Sequence, residues 1–93
     1  PKRTGINLAP SLISDLSELE WIVALKQSTN DFNELEATLA ECGDRISVFA
    51  GHSAERGFSA VMLGCPGFVS SMESQVMGKE AISMYRLARE RNV

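Results

Sequence analysis

The sequence predicts an α/β fold with parallel strands, on three observations. Short apolar runs rich in β-branched residues alternate with stretches of helical periodicity. The runs begin near residues 22, 46 and 68, which leaves room for one helix between successive strands and so for right-handed crossovers. The first run, Ile22-Val23-Ala24-Leu25, has no polar interruption, the pattern of a strand buried on both faces. Three strands and four helices in this order would leave two open sheet edges. A slice of a (β/α)8 barrel fits, and half of a doubly wound sheet fits almost as well; the pattern alone does not choose between them.

Taken in order, Pro1-Lys2-Arg3-Thr4-Gly5 is irregular and Ile6-Asn7-Leu8 extended. Pro10 suits a first helical turn, where its missing N–H costs nothing. Leu12, Ile13, Leu16 and Leu19 share one face, which predicts a helix over about residues 11–20. The Ile22 strand ends at Lys26, and Gln27-Ser28-Thr29-Asn30 reads as its exit loop. Asp31 with Glu34 three residues on resembles a capping box. Phe32, Leu35, Leu39 and Ala40 supply the stripe of the second helix, and Gly43 its stop. Ile46-Ser47-Val48-Phe49-Ala50 is the second strand, and Gly51-His52-Ser53 its exit, with Ser53 placed to cap a third helix. Phe58, Val61 and Met62 line that helix and Gly64 ends it. Gly67 to Met72 is the third strand. A last helix, from about Ser74 to Arg91, places Gly78, Ala81, Ile82, Tyr85 and Ala88 inward. Both ends of the chain read as cut, so residues 1–93 are expected to be one partial domain without an internal boundary.

Composition narrows the function. With 44% hydrophobic and 23% charged residues, the chain belongs with globular proteins. No run of about 18 apolar residues is present to span a membrane, and no signal-peptide pattern appears. A net charge of −3 without a basic block argues against nucleic acid as a partner. Cys42 and Cys65 are isolated, which suggests reduced thiols and a cytoplasmic setting. One histidine and no Cys-x-x-Cys leave no zinc spacing.

Several chemistries are missing. No strand is followed by Gly-x-Gly-x-x-Gly, and no P-loop or Gly-x-Ser-x-Gly elbow occurs. His52 and Ser53 are neighbours on an exit loop, where adjacent side chains diverge, so they do not read as a dyad. Lys26 remains, the only lysine between Lys2 and Lys79. Taken alone, it reads as a side chain that carries its amine to water along a flexible stem. Its place at the carboxyl end of a strand gives it a second reading, because parallel α/β folds put their chemistry there. A partly desolvated lysine has a lowered pKa and a free lone pair. Such an amine attacks a ketone to form a Schiff base, and the iminium lets an adjacent carbon lose a proton. This is aldolase-type chemistry, which needs no metal or cofactor.

The residues that carry a family resemblance now stand in order. Arg3-Thr4-Gly5 with Pro1 before it, Leu8-x-Pro10 and Ile22-Val23-Ala24-Leu25-Lys26 resemble the dihydrodipicolinate synthase / N-acetylneuraminate lyase family. Phe49-Ala50-Gly51 resembles its Ser-Gly-Asp/Asn strand end, and Gly67-Phe68-Val69-Ser70 its Gly-Val-Ile-Ser strand. Members are (β/α)8 barrels that condense or cleave pyruvate through a lysine Schiff base. The resemblance implies that this chain runs from the fifth barrel helix to the eighth, with parallel strands six to eight.

Lys26 would then be the Schiff-base lysine. Gly51 would lie beside bound pyruvate, and Val69 would give the pocket backbone and an apolar wall. Arg3 would help place a carboxylate of the aldehyde substrate. Ser28 and His52 would face the distal part of a substrate. The family's tyrosine relay and pyruvate-binding threonines would precede Pro1, so the isolated chain is expected to be inactive and to need the remaining barrel strands.

Two departures bear on substrate. Gln27 stands where many relatives carry an acid, and His52-Ser53 replaces an acidic or amide pair, which argues against sialic acid. The leading expectation is a synthase that joins pyruvate to aspartate semialdehyde in lysine biosynthesis, a homo-oligomer (homotetramer) in its assembled form. A 2-keto-3-deoxy-acid aldolase or dehydratase, or a non-catalytic barrel relative, is the alternative.

Overall fold

The computed structural model describes residues 4–51, 54–69, 76 and 78–90. Its elements are α1 (Pro10–Leu16), β1 (Ala24–Gln27), α2 (Phe32–Cys42), β2 (Ser47–Ala50), α3 (Ala54–Leu63) and α4 (Lys79–Glu90). Strands and helices alternate as the spacing predicts, and β1 pairs with β2 in parallel, Lys26 opposite Phe49 and Gln27 opposite Ala50. The third strand enters at Phe68, which bridges to Ala50 in parallel. Val69 N–H donates to Ala50 O at 2.7 Å, and Ala50 N–H to Gly67 O at 3.2 Å. The remainder of the predicted third strand, Ser70 to Met72, lies outside the described residues.

One face of this sheet is packed and the other is not. Side chains alternate across a strand, so Leu25, Gln27, Val48 and Ala50 share the side toward the helices. There they meet a core of Ile13, Leu35, Cys42, Ala60 and Cys65. On the opposite side Ala24, Lys26 and Ser47 are exposed and Phe49 is half-buried. The expectation of a first strand buried on both faces is therefore corrected: Ala24 and Lys26, on the side away from the helices, are exposed. Among the described residues, Ala24, Lys26 and Ser47 on that face stay exposed, Phe49 borders a groove with the last helix, and the outer edge of β1 pairs with no strand. The apolar run was a sound signal for a strand, but burial depends on what is packed against it.

Element boundaries moved for identifiable reasons. The first helix starts a residue early at Pro10, which occupies its first turn, and ends at Leu16. Turns follow through Trp21, closed by Leu19 N–H to Leu16 O and Ile22 N–H to Leu19 O. In α2 the buried positions are Leu35, Thr38 and Cys42, whereas Ala40 faces solvent. Thr38 can sit inside because its hydroxyl donates to Glu34 O at 2.9 Å. Gly64, with φ of +118°, closes α3 in a Schellman arrangement: Cys65 N–H reaches Ala60 O and Gly64 N–H reaches Val61 O, both at 3.0 Å.

The last helix is described over Lys79–Glu90; its expected ends at Ser74 and Arg91 lie outside the described residues. Gly78 has φ of +50° and stands before α4 rather than on its inner face. Ala81 and Ala88 are buried, but Ile82 is 53% exposed, which corrects its inward placement. Ile82 instead lines an open apolar groove of about 440 Å³ with Phe49, Phe68 and Tyr85. Tyr85 holds the entry to the third strand, its hydroxyl donating to Pro66 O at 2.9 Å. No described helix is long and apolar enough to cross a membrane.

Candidate active site

The carboxyl ends of the strands gather four of the residues singled out in the sequence. Lys26 is the third residue of β1, one place short of its end. Beyond it the pairing continues: Gly51 N–H donates to Gln27 O at 2.9 Å. Since Gln27, Ala50 and Phe68 form one cross-strand row, the next row is Ser28, Gly51 and Val69. The period-two alternation turns this row toward the uncovered face, the face that carries Lys26 and Phe49.

Contact between these residues is close. A Cβ placed on Gly51 would overlap the hydroxyl oxygen of Ser28 and would stand 2.8 Å from Lys26 Cε and 3.2 Å from its Cγ. The absent side chain therefore leaves room for the lysine stem and the serine hydroxyl themselves. Phe49, opposite Lys26 in register, adds an apolar neighbour that the sequence reading did not single out. The signal for it was present, because parallel pairing of the two apolar runs sets these residues side by side. Lys26 is exposed to solvent, so the partly desolvated setting expected for it is not formed by the described residues.

Gln27 takes no part in this surface. Only 7% exposed, it faces the helices, so its departure from the family's acidic residue touches packing rather than substrate. Arg3, His52 and Ser53 lie outside the described residues.

The exit loop of β1 is tied down from two sides. Asp31 caps α2, its carboxylate accepting from Asn33 N–H at 2.9 Å. Glu34 does not complete the expected capping box. Asp31 N–H is satisfied instead by Thr29 Oγ1 at 3.1 Å, and Thr29 Oγ1 donates to Glu34 Oε2 at 2.9 Å. Glu34 Oε1 accepts from Asn7 Nδ2. From α3, Arg56 Nη1 donates to Asn30 Oδ1 at 2.9 Å.

Other nucleophiles are set aside by their surroundings. Burial pushes the Cys65 thiol up to about 11 from its ordinary 9.0. Cys42 is also raised, by burial first, with Arg45 opposing. Both are protonated at neutral pH and act as small core residues. Among the described residues, no group of three or more His, Cys, Asp or Glu is placed to hold a metal ion. What the arrangement offers chemically is one primary amine beside a hydroxyl, a bare glycine backbone and two apolar side chains.

Comparisons with known proteins agree with this architecture. All of residues 1–93 match the sequence pattern of the dihydrodipicolinate synthetase family. A 4-hydroxy-tetrahydrodipicolinate synthase from Geotalea daltonii is 34% identical over 84 residues, 90% of this chain and 28% of the relative. One from Citrifermentans bemidjiense is 35% identical over 86 residues, with the same two shares. The crystal structure of dihydrodipicolinate synthase from Aquifex aeolicus superposes on 99% of this chain, and on 31% of its own, with a TM-score of 0.86 at 29% identity. The chain thus spans under a third of the length of these relatives. On the full-length pattern match and the parallel α/β unit that superposes on it, the chain belongs to the dihydrodipicolinate synthetase family.

Proposed function

We propose that this chain is the part of a pyruvate-dependent (β/α)8 enzyme that supplies its Schiff-base lysine, Lys26. The observation that carries the reading is the row Ser28–Gly51–Val69 beside Lys26, on a sheet face left free by the helices. In a closed barrel that face is the lumen, and its carboxyl end is where such folds place their chemistry. The chain then comprises the fifth to eighth helices and strands six to eight, and the remaining strands cover what is open here.

The chemistry follows from the groups present. The Lys26 amine adds to the keto carbon of pyruvate, and the carbinolamine loses water to give an iminium. The iminium draws electrons from the adjacent methyl carbon, which becomes an enamine nucleophile as its proton passes to the relay that the family resemblance places before Pro1. That carbon attacks an aldehyde, and the relay returns a proton to the aldehyde oxygen when the carbon–carbon bond forms. Water then hydrolyses the iminium and returns the free amine. Gly51 leaves space for the lysine stem and for pyruvate, with Val69 and Phe49 as apolar walls. Ser28, and His52 and Arg3 on their flanking segments, are assigned to the outer substrate.

The relatives are named as 4-hydroxy-tetrahydrodipicolinate synthases, and the family resemblance makes aspartate semialdehyde the aldehyde of that reaction. Full-length protein carrying this chain is expected to condense pyruvate with aspartate semialdehyde, and Lys26→Ala to abolish the reaction. Cleavage of a 2-keto-3-deoxy acid without that condensation would move the assignment to the aldolase branch. Neither activity would leave only a non-catalytic barrel relative.

A further inference from the structure

Glu34 occupies the third position of α2, where a capping box would turn its carboxylate back onto the Asp31 N–H. That donor is already taken by Thr29 Oγ1 at 3.1 Å, so the carboxylate reaches outward. One oxygen accepts from Thr29 Oγ1 at 2.9 Å and the other from Asn7 Nδ2. Asn7 and Thr29 belong to separate segments: the extended stretch before α1, and the loop that leaves β1 directly after Lys26, Gln27 and Ser28. Glu34 is half-buried and its bond from Thr29 is partly shielded from water, whereas the bond from Asn7 lies at the surface; both gain from the charge on the acceptor. The pair Asn30–Arg56 anchors the same loop to α3, which leaves the segment at Asn7 joined to the rim through Glu34.

We propose that Glu34 is a positioning residue that joins the segment at Asn7 to the β1 exit loop and so sets the outer rim above Lys26. It does not touch the reacting atoms. Pyruvate meets the amine at the Lys26–Gly51 level, whereas a second substrate must lie farther out, against Ser28 and the loop that Glu34 holds. Its loss should therefore weaken capture of the aldehyde and spare formation of the pyruvate adduct. This inference rests on the function proposed above.

The experiment uses full-length protein with Glu34→Ala, the isosteric Glu34→Gln, Asn7→Ala and the Glu34→Ala/Asn7→Ala pair. For Glu34→Ala the expected result is a rise of about tenfold in KM for aspartate semialdehyde with kcat within about twofold, the signature of lost binding rather than lost chemistry. Glu34→Gln keeps one acceptor and should fall between it and wild type. Because Asn7 and Glu34 share one contact, the double variant should be no worse than Glu34→Ala alone. Amide hydrogen exchange adds a readout independent of substrate: residues 4–8 and 28–31 should both exchange faster in Glu34→Ala, with the core strands unchanged. Unaltered aldehyde KM, multiplicative effects in the double variant, or unaltered exchange at either segment would overturn the positioning role. Failure of wild-type protein to form a pyruvate adduct at Lys26 would instead overturn the proposed function, and the exchange result would still decide the role of Glu34.

Discussion

At Gly51 the chain leaving β2 passes so close to its neighbour that any side chain would meet Lys26 and Ser28. Lys26 Cε lies 2.8 Å from the position a Cβ would take, well inside ordinary van der Waals separation. The serine oxygen is closer still. An alanine there must displace either the lysine stem or the hydroxyl. Gly51→Ala in the full-length protein is therefore expected to keep the fold, with an unchanged far-UV spectrum. Its rate of pyruvate adduct formation should drop on the order of a hundredfold, the scale of a small misplacement of a reacting group. A variant that forms the adduct at the wild-type rate would show that the lysine does not depend on the space at Gly51. The resemblance implied that Gly51 lies beside bound pyruvate; the geometry puts the first conflict of a side chain there on the Ser28 hydroxyl, and the next on the lysine stem.

Elements differ in how much of them could be read in advance. The β1 and β2 strands and the α2 and α3 helices follow from patterns that are local: β-branched runs, the Asp31 cap, and Gly64 at a positive φ. What escaped were features set by partners. Glu34 left the capping box because Thr29, two residues before the cap, took the donor first. Ile82 stands three residues before Tyr85 on one helical face, and it opens onto a groove instead of the core.

Gly57, unremarkable in the sequence, turns out to carry the contact between α3 and the third strand. A Cβ there would stand 2.6 Å from Phe68 Cδ1 and 2.5 Å from Cδ2. The ring also meets Tyr85 edge-on, with centroids 6.4 Å apart, so moving it aside disturbs that contact. Gly57→Ala is expected to cost about 1–3 kcal/mol, the usual range for overpacking. Thermal denaturation of the full-length protein would register this as a lower Tm, and Phe68→Leu in the same background should restore part of the loss. An unchanged Tm would mean that the ring moves aside freely.

On the scale of the whole molecule, the sequence and the structure disagree most about burial, and the disagreement is informative. The run from Ile22 to Leu25 reads as a strand covered on both faces, yet Val23, Ala24 and Lys26 are exposed. Sequence records what a strand is suited to; it does not say which chain supplies the cover. The candidate site was legible to the same extent. Lys26, Ser28, Gly51 and Val69 could be picked out one by one, and parallel pairing brings them to one end of one face. Their side-by-side rows depend on register, which hydrogen bonds such as Gly51 N–H to Gln27 O fix and composition does not. The uncovered face and the unpaired edge of β1 are then two aspects of one proposal, that this surface closes against the rest of a barrel and forms the wall of its lumen.

The central claim is that Lys26 forms a Schiff base with pyruvate on that face. Borohydride reduction of the full-length protein in the presence of pyruvate, followed by peptide mass mapping, tests it most directly. The account predicts one reduced pyruvyl adduct, on Lys26 within the β1 peptide, absent when pyruvate is omitted and absent in Lys26→Ala. An adduct on another lysine, or none on wild-type protein at saturating pyruvate, would contradict it.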